Sequence, residues 1–328
     1  MTAREQIQTS VASGAIDQSL ADRFWRVWHR FGIFIILVVF AVILVILTPN
    51  FLTTQNLLNV ARQVSVLALI SMGILTVLIT GNVDLTVGAF LGLAGALLAK
   101  WTIQYGILPG LLMGFGLAIL VGLTNGFLST RGKGLSVIVT LAMLTIFQGA
   151  TLLITGGRPI IGFPEEIRVV GTGYLGPLPW PVLIAILAAV VVHVILRYTS
   201  FGRELYAIGG NPEAARLSGT PVNLRIISAF VISSVLSALA GWVLIARVSS
   251  AQPTAGIGDE FSAVGAVLIG GASLSGGTGN ILGTLAGVLI LGMISNGLNL
   301  LHVDPYYQYV VKGLIILFAI LMDQWGRK

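Results

Sequence analysis

Long stretches without a formal charge constrain the fold of this 328-residue chain more than any other feature of its sequence. No Asp, Glu, Lys or Arg lies in the intervals 31–61, 101–130, 169–196 and 261–303. A helix needs about 20 consecutive apolar residues to cross the hydrocarbon of a bilayer. Each interval is long enough for one such span, and the last is long enough for two. The runs are continuously apolar and lack the alternation of barrel strands, so they indicate helical spans.

Turn signals between the apolar runs predict an all-α, polytopic membrane protein of about ten transmembrane helices. The segment 262–275 is short, which leaves a re-entrant segment as an alternative. The first run is followed by Thr48-Pro49-Asn50 and by no small-residue cleavage site, so we expect it to be a retained helix. The predicted spans are 31–49, 62–80, 84–101, 107–128, 135–155, 179–197, 224–246, 262–275, 280–301 and 305–323.

The distribution of basic residues predicts that both termini are cytoplasmic. With an inside N-terminus, the inner segments and their flanks hold twelve of the eighteen Lys and Arg, as the positive-inside rule requires. The basic residues form no cluster with interleaved aromatics, so the net charge of +6 does not indicate nucleic-acid binding. We therefore expect a cytoplasmic N-terminal segment 1–30, a transmembrane domain 31–323 and a cytoplasmic tail 324–328. The inner segments between spans are 81–83, 129–134, 198–223 and 276–279.

The polar segment between the sixth and seventh spans contains a short helix with both ends specified in sequence. Asn211 is a good N-cap, Pro212 suits the first helical position, and Gly219 suits the left-handed position after the last turn. Glu213 and Arg216 are placed favourably for the helix dipole and for each other. A capped two-turn helix on a membrane protein suggests a docking element; a solvated loop that happens to be capped is the alternative.

No catalytic constellation is visible in the sequence. The chain has no cysteine, and its three histidines are far apart, so we predict neither catalytic residues nor a metal site. Gly132-Lys133 resembles the end of a phosphate-binding loop, but Gly134 stands where Ser or Thr is needed. We therefore expect no cofactor in this chain and no ATP bound through a Walker motif.

Polar side chains inside or bordering the spans are costly in hydrocarbon, so they are candidates for lining a translocation path. Their amides would suit a neutral hydroxylated solute, but Asn and Gln also cross-link helices, and Asp84 would equally serve as a helix cap at the interface. Both readings stay open for each residue. The candidates are Asn82, Asp84, Asn125, Gln148, Asn296 and Asn299.

Glycine makes up 41 residues, and many are four apart, a spacing that lets membrane helices approach closely. The segment Gly110–Gly114 leading to Asn125 resembles Gly283–Gly287 leading to Asn296, although the second copy is two residues shorter. These segments lie on the fourth and ninth predicted spans, which run in opposite directions. The pattern is weak support for an inverted five-plus-five repeat.

Several motifs resemble the membrane permease subunit of monosaccharide-type ABC importers, the ribose permease group in particular. They run from the third span to the tenth and so cover nearly the whole chain. The first usually carries Gly where this sequence has Asn82. The motifs are 81–88 (GNVDLTVG), 209–219 (GGNPEAARLSG), 249–256 (SSAQPTAG), 270–274 with 276–279 (GGASL and GGTG), 296–301 (NGLNLL) and 306–308 (YYQ).

This resemblance implies a permease in the bacterial inner membrane that works as a homodimer. Its implied partners are a cytoplasmic ATPase, which would bind ATP and Mg, and a periplasmic sugar-binding protein. The capped helix 212–218 would then be a coupling helix that enters a cleft on the ATPase. The implied ATPase-coupling residues are Arg203, Gly209, Asn211, Glu213, Ala214, Ala215, Arg216 and Gly219.

An ion- or proton-coupled secondary carrier, or a channel, for a small neutral polar solute is the alternative function. Proton-coupled carriers usually bury a carboxylate or histidine within a span, whereas the charges of this sequence cluster near predicted span ends. We therefore expect a permease without enzyme activity of its own. The sequence does not distinguish ribose from related sugars, nor a homodimer from a heterodimer of permeases.

Overall fold

The computed structural model describes residues 33–132 and 134–325, and the predicted segment 1–30 and the last three residues of the tail lie outside this part of the chain. Its architecture is almost entirely helical, with one two-stranded antiparallel hairpin. The elements in chain order are α1 (Ile33–Leu47), α2 (Thr54–Leu78), α3 (Val87–Tyr105), α4 (Ile107–Ser129), α5 (Leu135–Thr155), α6 (Glu165–Thr172), β1 (Tyr174–Leu175), β2 (Leu178–Pro179), α7 (Trp180–Tyr198), α8 (Ser200–Gly210), α9 (Pro212–Leu217), α10 (Val222–Val248), α11 (Asp259–Ile269), α12 (Ile281–Leu300) and α13 (Pro305–Trp325).

Seven of the described helices are long and apolar enough to cross a membrane: α2, α3, α4, α5, α7, α10 and α12. Each of the ten predicted spans falls on a helix, but α1 is described over 15 residues and α11 has only 11. The chain is therefore a multi-pass membrane protein, and the count of ten spans remains a prediction.

Helix α10 lies at the centre of the bundle and packs against α2, α3 and α4. Its sequence allows this position because small residues recur along it, among them Ser233, Ala238 and Ala240, which are fully buried. Phe230 fills the space beside them and is also fully buried. Helices α4, α5 and α7 carry most of their large apolar side chains on the exterior, as lipid-facing helices do.

Two helix boundaries differ from the sequence prediction, and two elements were not predicted. Helix α2 begins at Thr54, eight residues before the predicted span, because the Thr53 side chain accepts a hydrogen bond from the Asn56 amide and caps the helix there. Helix α11 ends at Ile269, and a loop with Gly271 and Gly276 in the left-handed region follows it. Helix α6 and the β1–β2 hairpin were not predicted; α6 packs on α10.

The predicted inner segments meet at one end of the bundle, which we call the α9 end. The Gly277 amide donates to the Ile79 carbonyl at 2.8 Å, and the Val83 amide donates to the Ser136 hydroxyl at 3.3 Å. At the opposite end, the Arg247 guanidinium donates to the Arg62 carbonyl at 3.2 Å. The structure thus groups the loops as the basic-residue pattern grouped them, and the sidedness of the two ends stays a prediction.

The two glycine-rich segments of the predicted repeat have similar packing partners. Gly110 and Gly114 lie against the preceding helix α3, and Gly283 and Gly287 lie against the preceding helix α11. Each segment therefore forms a close antiparallel helix pair. This likeness covers two helix pairs only, and the inverted repeat remains a prediction.

Candidate coupling and translocation sites

Helix α9 has the two caps that the sequence predicts. The Asn211 side chain accepts from the amides of Glu213 and Ala214, both at 3.0 Å, and Pro212 occupies the first turn. At the other end Gly219 adopts φ +86°, and its amide donates to the Arg216 carbonyl at 3.0 Å. The next amide, of Thr220, reaches back to the carbonyl of Ala215 at 3.1 Å, which completes a Schellman motif. The helix prediction is confirmed.

One face of α9 is anchored and the other is free. Ala215 is buried and belongs to the main hydrophobic core, whereas Arg216 and Glu213 are exposed and form an ion pair of 3.1 Å. Leu217 is 83% exposed, so the helix presents a large apolar side chain beside a charged pair. Sequence reasoning missed Leu217, although an apolar residue in the last turn of a polar, capped helix was the available signal.

Helix α8 fixes α9 to the bundle, and Gly209 is the point of closest approach. A Cβ atom on Gly209 would overlap the carbonyl oxygen of Ile79 and the amide nitrogen of Gly277, so backbone from two loops lies directly against this helix. The Tyr206 hydroxyl donates to the Gly279 carbonyl at 2.7 Å, and burial raises the pKa of this phenol, which keeps the donor protonated. The segment 200–219 is therefore joined to the loops after α2 and α11.

A partly buried ion pair adds a second connection. Glu204 on α8 accepts from Arg225 on α10 at 2.5 Å and 3.3 Å, and the guanidinium lies 5.5 Å from the Phe201 ring centre. The two side chains are about one-quarter exposed. Sequence reasoning missed this pair, because its members are 21 positions apart and no local pattern relates them. Arg203, a predicted coupling residue on the same helix, is exposed.

Asp84 and Asn125, two of the candidate path residues, lie in one buried cluster. The Asp84 carboxylate accepts from the Thr86 amide at 2.9 Å and the Thr86 hydroxyl at 2.6 Å, and its other oxygen accepts from Ser233 on α10 at 2.8 Å. The Asn125 amide donates to the Thr86 hydroxyl at 3.1 Å, and its side-chain oxygen has no hydrogen-bond partner among the described residues. This cluster ties the start of α3 to α4 and α10.

Asn296 forms a reciprocal amide pair with Asn56. Each side chain donates to the other, at 2.8 Å and 2.9 Å, and both residues are buried. Asn299 accepts from Gln308 on α13 at 2.8 Å. These partners join α12 to α2 and to α13, which is the geometry of helix cross-linking, the alternative that the sequence left open.

The other two candidates make fewer contacts. Asn82 donates to the Thr80 hydroxyl at 3.1 Å within the turn after α2. Gln148 is partly buried on α5, and its side chain has no hydrogen bond to a described residue. The structure therefore brings Asp84 and Asn125 together and leaves Asn296, Asn299 and Gln148 elsewhere; the path-lining role of all six stays a prediction.

Two carboxylates at helix ends, Asp84 just before α3 and Glu260 in the first turn of α11, are buried, which the sequence did not indicate. Asp84 is 1% exposed and Glu260 is 2% exposed. The reason is the path of the loops: the segment 251–258 folds back so that Gly256 and Glu260 lie against Gly88 at the start of α3. Because these two carboxylates are buried, a lack of buried ionisable groups cannot be used as an argument against a coupled carrier.

The motifs of the sequence are packing partners of one another. Gly81, Gly209 and Gly276, from three motifs, lie in backbone contact at the α9 end. Gly88 and Gly256, from two motifs, meet within the bundle, and Asn299 of a further motif binds Gln308 of the last. The motif residues thus build the contacts between segments that are distant in sequence.

Comparison with known proteins gives a match over most of the chain. Residues 56–320 match the family described as branched-chain amino acid transport system / permease component. The ribose import permease protein of Bacillus subtilis is 45% identical over 305 residues, 92% of this chain and 94% of that protein. The corresponding ribose import permease of Escherichia coli is 42% identical over 294 residues, 88% of this chain and 92% of that protein.

A relative named for a different sugar is more distant. The L-arabinose transport system permease protein of Escherichia coli is 36% identical over 317 residues, 96% of each chain. No solved structure matches the chain.

Proposed function

The chain belongs to the family of branched-chain amino acid transport system permease components, and we propose that it is the membrane permease subunit of an ATP-driven monosaccharide importer, with ribose as its solute. Its identity of 45% to a ribose import permease, against 36% to an arabinose permease, supports ribose. The membrane would be the bacterial inner membrane, with the α9 end and both termini in the cytoplasm. The sequence supports this orientation, because the predicted inner segments, the two terminal segments and their flanks hold twelve of the eighteen Lys and Arg.

A permease of this kind needs partners that supply energy and substrate. We infer a cytoplasmic ATP-binding subunit, which holds ATP and Mg, a periplasmic sugar-binding protein, and a second copy of this chain. The chain would itself carry no hydrolytic step. Family membership favours this function over a secondary carrier or channel, since the buried carboxylates alone leave a carrier open.

The observation that carries the proposal is helix α9: rigidly capped, anchored through Ala215, and exposing Leu217, Glu213 and Arg216. An exposed apolar side chain next to charges is the pattern of an interface anchor with a polar rim. We assign this face to the ATP-binding subunit. Arg203, Ala214 and the caps would support the same contact. ATP-dependent ribose uptake by proteoliposomes that contain the chain and its partners tests the function; uptake without the ATP-binding subunit would contradict it.

Loss of either α9 cap should uncouple the permease from the ATPase. Asn211→Leu and Gly219→Val each remove a cap worth about 1 kcal/mol, and a two-turn helix has too few hydrogen bonds to absorb that loss. We expect normal membrane insertion and a several-fold fall in sugar-stimulated ATPase activity. Gly176→Val is the matched control, because Gly176 also has a positive φ and open space around it but lies in the distant hairpin. Wild-type stimulated ATPase activity in both cap variants would refute the coupling role.

Charge reversal at Arg216 should weaken assembly with the ATP-binding subunit. The Glu213–Arg216 pair is more than half exposed, so as an intrahelical pair it contributes only a few tenths of a kcal/mol. Arg216→Glu should therefore leave the thermal stability of the isolated permease unchanged while reducing co-purification of the ATP-binding subunit. Unchanged co-purification would show that the pair serves only the helix.

A further inference from the structure

A small cavity lies between α2, α10, α11, α12 and α13, in the half of the bundle away from α9. Its volume is about 160 Å³, which roughly five waters would fill. The remaining walls are apolar or glycine backbone. Its polar lining consists of Gln63, Arg247, Asp259, Ser262, Ser295 and Lys312. We call it the charged cavity.

The charges around this cavity are not paired with one another. In residues 33–132 and 134–325 the ion pairs are Glu165–Arg168, Glu213–Arg216 and Glu204–Arg225, and none involves the cavity. Arg247 donates from one nitrogen to the Arg62 carbonyl, and its other donors remain available. Asp259 is attracted electrostatically by Lys312 and Arg247, but no ion pair joins the three groups in the described residues, so water or a ligand can bridge them.

A second cavity of about 360 Å³ adjoins the first. The two share Asp259, Ser262 and Lys312 in their walls. The second is also lined by Phe261 and Tyr309, whose side chains are 50% and 67% exposed. Asp259 and Lys312 therefore line both the smaller cavity and the larger one.

We propose that Arg247, Asp259 and Lys312 form a transient binding site for a neutral monosaccharide on its way through the bundle; this proposal rests on the sugar-import function. The carboxylate accepts hydrogen bonds from sugar hydroxyls, the two cations donate to sugar oxygens, and Ser262 does either. Phe261 and Tyr309 offer apolar ring surface in the second cavity. The mixed charges select a polyhydroxylated solute, because an apolar molecule would leave all three charges unsolvated.

The charged cavity is lined by none of the residues that the sequence indicated as candidates for the translocation path. Asn296 and Asn299 are already hydrogen-bonded to the side chains of Asn56 and Gln308, so a sugar would have to break those bonds. The charged cavity has free donors and acceptors instead. The cavity was invisible in sequence because Arg247, Asp259 and Lys312 come from three different segments.

Transport by charge-removal variants is the first test. Asp259→Asn and Lys312→Met should each lower ribose uptake by about tenfold, the effect of losing one charge-assisted hydrogen bond. Lys100→Met is the matched control, because Lys100 is exposed and lines neither cavity. Its uptake should equal that of the wild type. Wild-type uptake by both cavity variants overturns the proposal, whereas absence of ribose uptake by the wild-type complex refutes the import function itself.

The second test measures whether ribose protects a single introduced thiol from labelling. This variant leaves Arg247, Asp259 and Lys312 unchanged. The chain has no cysteine, so Ser262→Cys gives one reactive group in the wall of both cavities. During turnover, ribose should slow its labelling by a small thiol reagent several-fold, and ribose 5-phosphate should not. Ser250→Cys, in the loop after α10, is the control and should be labelled equally with and without sugar. Labelling of Ser262→Cys that ribose does not slow, or that only the phosphate slows, overturns the proposal.

Discussion

Gly209→Ala should strongly reduce coupled transport, although the adjacent change Gly210→Ala should leave transport unchanged. Both glycines lie in α8, where alanine is favoured over glycine by about 0.5–1 kcal/mol, so helix propensity alone predicts that both changes stabilise the protein. Their surroundings differ. A Cβ on Gly209 would overlap backbone of Ile79 and Gly277, whereas a Cβ on Gly210 would meet nothing within 4 Å.

The overlap at Gly209 should outweigh the gain in helix propensity. The atoms that a Cβ would meet belong to the backbone of Ile79 and Gly277, which cannot rotate away as a flexible side chain would. Overpacking of this kind costs about 1–3 kcal/mol and displaces the elements involved. We expect α8 and α9 to separate from the loops after α2 and α11, with ribose uptake reduced by more than about tenfold at that cost. Uptake and sugar-stimulated ATPase activity are measured in proteoliposomes. Equal activity of the two alanine variants would contradict the proposed role of this contact.

Asp84→Ala should destabilise the bundle strongly, whereas Asp84→Asn should do so weakly. Alanine leaves the Thr86 amide, the Thr86 hydroxyl and the Ser233 hydroxyl without their acceptor in a site that is 1% exposed. A hydrogen bond contributes about 0.5–1.5 kcal/mol net, so the loss of these three, two local and one between helices, should cost roughly 2–5 kcal/mol. Asparagine keeps one acceptor oxygen toward Thr86 and offers a donor to Ser233.

Thermal unfolding of the purified permease measures this difference, and uptake separates the two roles open to Asp84. A lower unfolding temperature for Asp84→Ala, with intermediate values for Asp84→Asn, supports the cross-linking role. If Asp84→Ala unfolds like the wild type but loses uptake, the carboxylate serves the translocation path instead. Ser233→Ala provides a further comparison, because it removes only one of the three donors.

The sequence predicted the features that depend on local free energies. A span is recognised from the transfer free energy of about 20 consecutive residues, and each predicted span falls on a helix. The caps of α9 were equally local, since Asn211, Pro212 and Gly219 act on amides and carbonyls within a few positions. For the same reason the coupling segment was the part of the candidate site that sequence placed best.

Helix ends and crossings were harder to predict, because the competing signals are not local. Glu165–Thr172 has too few residues and too many charges to register as a span, yet it packs on α10 through Gly171. Segment 251–258 packs into the bundle because Gly88 and Gly92 on α3 leave space for its backbone. No pattern within 251–258 itself reveals that space.

By itself, the sequence determined that this is a multi-pass helical membrane protein with a short capped helix between two spans, because apolar length and capping depend on neighbouring residues. Only the tertiary structure decided which polar groups are already satisfied and which are free. Asn56 and Asn296 bind each other across 240 positions, while Asp259 and Lys312 face a cavity without pairing. That difference is set by which helices touch, and contacts between distant segments leave no signal in a single chain's local pattern.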